Sequence, residues 1–62
     1  MHAIEFTEEE LEVLREVLRY KIRETEMEMF RTDTHDFKQM LKHRGHLLEH
    51  LLSKVSNVPT AA

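Results

Sequence analysis

The densest group of chemically capable side chains in this sequence is HLLEH, residues 46–50. His46 and His50 stand four residues apart with Glu49 between them, the order in which one class of zinc peptidase sets two metal ligands and a water-activating base on a helix. His43 extends the strip, because spacings of three and four residues bring side chains to one side of a helix. Peptide hydrolysis needs more than this. A third metal ligand, a carboxylate well downstream in this motif class, must close the site, and a pocket must hold the substrate against the metal. Only twelve residues follow His50 in the sequence, so the expectation is that no peptidase site forms and no residue is catalytic. Weak zinc or nickel binding by His43, His46 and His50 competes with a plainer reading, a solvated polar face, and the solvated face is favoured. No metal and no cofactor are expected.

Other chemistries find less support. The sequence offers no nucleophile–base pair and no glycine-rich phosphate loop, since Gly45 is the single glycine, so an enzyme is not expected. Lys38, Lys42 and Lys54 share the second half of the chain with four of the five histidines, and such a helix face is one route to nucleic acid. The net charge of −3 and the absence of interleaved aromatics on that strip argue against it, because few phosphates would be neutralised.

The elements that must carry these residues follow from length and pattern. A chain of 62 residues buries only about 60% of the surface exposed by its unfolded form and needs extra stabilisation. Cysteine is absent, which leaves helix packing or oligomerisation to supply it. The acidic start and the lack of an apolar run near 18 residues predict a soluble, cytoplasmic protein without a membrane partner.

Helix periodicity dominates. In FTEEEL, residues 6–11, Thr7 is placed to cap a helix while Glu10 reaches back to the cap N–H, and Phe6 with Leu11 has the spacing of a hydrophobic staple. Leu11, Leu14, Leu18, Ile22, Thr25 and Met29 then fall within about 80° of arc. RTDTHD, residues 31–36, is rich in cap residues and predicts a break. Beyond it Phe37, Met40, Leu41, Leu47, Leu48, Leu51, Leu52 and Val55 share a broad arc of about 140°. The reading is an all-α fold: one domain over residues 1–62, with helices at about 7–31 and 34–56 and tails at 1–6 and 57–62. So short a link makes the helices antiparallel, a two-helix hairpin, and a reversal centred near residue 33 sets Gly45 level with residues 20–22. The halves differ in charge: residues 1–31 hold nine Glu against five Lys or Arg, residues 32–62 three acids against four.

TEEELEVLREVL (residues 7–18) followed by RTDTHDFKQMLKHR (residues 31–44) resembles a family of small uncharacterised bacterial helical-hairpin proteins, with an acidic capped start and a T-D-x-x-D-F turn. The resemblance spans about Thr7 to Val55. It implies a helical hairpin without an assigned activity and carries over no catalytic residue.

A second stripe on the first helix bears most on function. Val13, Val17, Tyr20 and Met27 repeat in one register, with Glu24 between the last two, about 180° from the first stripe. One partner helix cannot cover both. Scattered surface hydrophobes are normal, but this register favours an interface, and two hairpins joined as a four-helix bundle would also supply the missing core. The expectation is a non-enzymatic, homodimeric interaction module, an adaptor or small regulatory subunit with a further protein partner unidentified. The alternative is a metal- or nucleic-acid-binding module using the His/Lys face of the second helix.

Overall fold

The computed structural model describes residues 5–58, which form two α-helices, α1 (Glu8–Arg31) and α2 (His35–Ser56), packed side by side. Thr7 and Thr34 are the N-caps, with extended backbone, so the sequence bounds of about 7 and 34 include the cap residue of each helix. Of the tails, residues 1–4 and 59–62 lie outside the described residues.

Local chemistry fixes the start of α1. Glu10 N–H donates to the Thr7 hydroxyl at 3.1 Å, and Thr7 N–H donates to Glu10 Oε1 at 2.9 Å, so each residue satisfies a donor that the first turn leaves open. Glu8, Glu9 and Glu10 place negative charge at the positive end of the helix dipole. The end of α1 is plainer: Thr32 N–H bonds to the Glu28 carbonyl, and Arg31 supplies the cation of the last turn. At α2 the Thr34 side chain makes no capping bond, leaving only Lys38 N–H bonded to the Thr34 carbonyl.

The seam between the helices is narrow. Leu11, with no exposed surface, Leu18 and Val55 form its main cluster, against which Phe6, Leu14, Leu48, Leu52 and Val58 pack. Nearer the turn Leu41 is buried, and Thr25 is too, its hydroxyl donating to the Lys21 carbonyl at 2.7 Å. That bond satisfies the one polar side chain buried among the described residues.

Gly45 lies opposite Thr25, whose Cγ2 is 4.0 Å from where a Cβ would stand, and not level with residues 20–22 as a reversal centred on residue 33 implied. Thr32 and Thr34 are both extended, so the link is stretched and α2 is shifted along α1 by roughly one helical turn.

Candidate interaction surface

The molecule is a slab, 47 × 24 × 13 Å. Its thickness is about that of a single helix with its side chains, so among the described residues neither broad face has a second layer over it. The radius of gyration is 14.3 Å, against about 10.6 Å for a compact domain of this length.

Three of the four stripe residues on α1, Val13, Val17 and Tyr20, are more than half exposed, Tyr20 most of all at 68%, and Met27 is nearly so. An open apolar depression lined by Phe6, Val13, Leu14 and Val17 runs along the start of the helix. On α2 the broad apolar arc divides. Leu41, Leu48, Leu52 and Val55 turn into the seam, while Phe37, Met40, Leu47 and Leu51 are left between 42% and 52% exposed. In the sequence pattern these two sets merge into a single arc of about 140°. The signal that separates them is a pair of interleaved repeats: 41-48-52-55 and 37-40-47-51 each keep helical spacing, offset by about 80°.

Helix handedness decides which open residues share a face. Looking along α1 from its start, successive side chains advance clockwise by about 100°; along antiparallel α2, from the same viewpoint, they advance anticlockwise. One broad face therefore gathers Leu14, Val17, Lys21, Glu24 and Glu28 of α1 with Met40, Arg44, Leu47 and Leu51 of α2. The opposite face gathers Arg15, Arg19, Ile22 and Glu26 with Lys38, Lys42, Gly45 and Glu49. Two observations agree with this partition. The Lys21 ammonium feels the Arg44 guanidinium and the Glu28 carboxylate, and a depression on the other side is lined jointly by Ile22, Glu26, Lys42, Gly45 and Glu49.

Polar chemistry on the first face centres on Lys21. Its Nζ donates to Glu24 Oε1 at 2.8 Å, and this bond, with the charge of Glu24, holds the ammonium above the ordinary lysine value. Both side chains are substantially exposed, so the pair adds little stability. Arg44 makes no ion pair among the described residues.

His43, His46 and His50 are all exposed on the outer side of α2. They do not converge: among the described residues no group of three His, Cys, Asp or Glu is arranged to hold a metal ion. The rise along the helix explains this, because His43 and His50 are separated by about 10 Å, and one ion needs every ligand within about 2 Å. Lys38, Lys42 and Lys54 are likewise exposed. The only buried polar side chain among the described residues is Thr25, and no buried polar side-chain atom there lacks a hydrogen-bond partner. No helix of the described residues is long and apolar enough to cross a membrane. No family model, curated protein or solved structure matches the chain.

Proposed function

We propose that this chain is a non-enzymatic interaction module that works as a homodimeric four-helix bundle, an adaptor or small regulatory subunit in the cytoplasm. The observation that carries the reading is the apolar surface that the hairpin leaves uncovered. Val13, Val17, Tyr20 and Met27 on α1 and Met40, Leu47 and Leu51 on α2 stay open to solvent while, among the described residues, four apolar side chains are buried. A monomer that shows this much apolar surface in register is under-packed, and a second apolar slab is the simplest cover.

Sedimentation equilibrium tests it. The wild-type chain is expected to be a dimer at micromolar concentration, with a thermal midpoint that rises with protein concentration because folding and association are linked. Val17→Glu sets a charge in the proposed dimer interface and should weaken the dimer by several kcal/mol, whereas Glu16→Gln, outside the stripes, should leave it unchanged. A compact, fully folded wild-type monomer at that concentration would overturn the proposal.

A further inference from the structure

The dimer reading leaves open which way round the second copy lies, and the charge pattern of the open face answers that. Gly45 sits opposite Thr25, so Arg44 stands level with the stretch from Glu24 to Glu28. From the free end of the hairpin to its turn, the face reads as an apolar zone of Leu14, Val17 and Leu51, then a band in which Lys21, Glu24, Glu28 and Arg44 surround Leu47, then Met40. The helices themselves differ in sign. α1 carries eight Glu against five Lys or Arg, and α2 carries two acids against four.

Two symmetric ways exist to lay one such face on another with all neighbouring helices antiparallel. In one the turns lie at opposite ends, which stacks α1 on the partner's α1 and sets Glu28 near the partner's Glu10, like charge on like. In the other the turns lie at the same end, which stacks α1 on the partner's α2 at equal height. Val17 then lies over Leu51 of the other copy with Leu14 beside it towards the free end, and Arg44 of each copy enters between Glu24 and Glu28 of the other.

We infer that the occupant of this face is a second copy of the chain, docked with both hairpin turns at the same end and α1 over the partner's α2. The inference rests on the dimer reading above and adds its orientation. Charge complementarity selects the arrangement, since the mismatched alternative opposes acidic helices directly. Area is consistent with it: the chain exposes 5499 Å², whereas a folded monomer of 7.5 kDa exposes about 4,200 Å². Tyr20 and Met27, nearly opposite the seam on α1, then flank the interface and do not form its centre.

The chain has no cysteine, so one label site can be introduced cleanly. Asp33→Cys places a spin label in the exposed link between the helices, and pulsed dipolar spectroscopy on the dimer reads the distance between the two turns. Turns at the same end give a distance below about 30 Å, since packed helices lie only 8–10 Å apart. Turns at opposite ends give about 35 Å or more, the length of α1, and that result overturns the orientation while leaving the dimer. Absence of any dipolar signal overturns both the orientation and the dimer. Arg44→Gln is expected to raise the dimer dissociation constant about tenfold; an unchanged constant removes Arg44 from the interface and overturns the register.

Discussion

The two ends of the hairpin are built differently. At the free end Leu11, Leu18 and Val55 are closed in by Phe6, Leu14, Leu48, Leu52 and Val58, and α1 begins in a reciprocal cap. At the turn end the seam holds Leu41 and Thr25 over Gly45, the cap of α2 lacks its side-chain bond, and Phe30 stands 91% exposed. Chain connectivity compensates for the difference. Near the turn the link already holds the helices together, so little packing is needed to keep them paired; at the far end only packing opposes separation. A hairpin of this kind is expected to fray where packing is thin and local caps are weak, and to lose the whole fold where the cluster is cut.

Leu11→Ala is the largest test of this contrast. The side chain is fully enclosed at the far end, and truncation should cost about 3 kcal/mol, within the range seen for buried leucines. Leu41→Ala, also buried but outside the main cluster, should cost about 2 kcal/mol. Denaturant unfolding of both variants under one protein concentration compares them. Equal losses, or a larger loss at Leu41, would show that the turn end is as tightly built as the free end.

What could be read from the sequence divides along the same physical line. The Thr7–Glu10 box and the seam positions Leu11, Leu18 and Thr25 depend on residues within a few positions of one another, and helical spacing fixes them before any tertiary contact forms. The height of α2 along α1 depends on how Thr32 and Thr34 are extended, and no periodic pattern encodes that, so Gly45 met Thr25 and not Tyr20 or its neighbours. The open positions of Val13, Val17, Tyr20 and Met27 were legible as an angle from the seam. The open half of α2 was not, because an arc of 140° does not say where one partner ends. The histidine strip shows the opposite limit, since spacing that aligns side chains does not bring three of them to a point.

Gly45→Ala sharpens the comparison from the turn end. Glycine inside a helix is disfavoured by about 1 kcal/mol relative to alanine, and Gly45 has no positive φ to justify it. The new methyl would meet Thr25 Cγ2 at 4.0 Å, ordinary van der Waals contact. The variant should therefore be more stable by up to about 1 kcal/mol, with the gain visible as slower hydrogen exchange in the middle of α2. A loss of stability would mean that the helices approach each other at Gly45 more closely than this contact distance.

The smallest effects lie at the caps, and they carry the contrast to single hydrogen bonds. Thr7→Ala removes the hydroxyl that accepts from Glu10 N–H and should cost about 1 kcal/mol, while Thr34→Ala removes no capping bond and should cost only a few tenths. The Thr7 cap is also pH-dependent. The Thr7 backbone N–H donating to the Glu10 carboxylate, with the Thr7 hydroxyl adding to it, holds that carboxyl below its ordinary value of 4.5. A folded value below the unfolded one means that the carboxylate's stabilisation is fully present above pH 4.5 and is lost as pH falls through the lower folded value. Glu10→Gln, which keeps an acceptor but cannot ionise, should therefore be less stable than wild type at pH 7 and approach it near pH 3, whereas Thr34→Ala should track wild type at both. Thermal unfolding of the three proteins at the two pH values makes the comparison. A Glu10→Gln deficit that persists undiminished at the lower pH would assign the cap's strength to geometry alone.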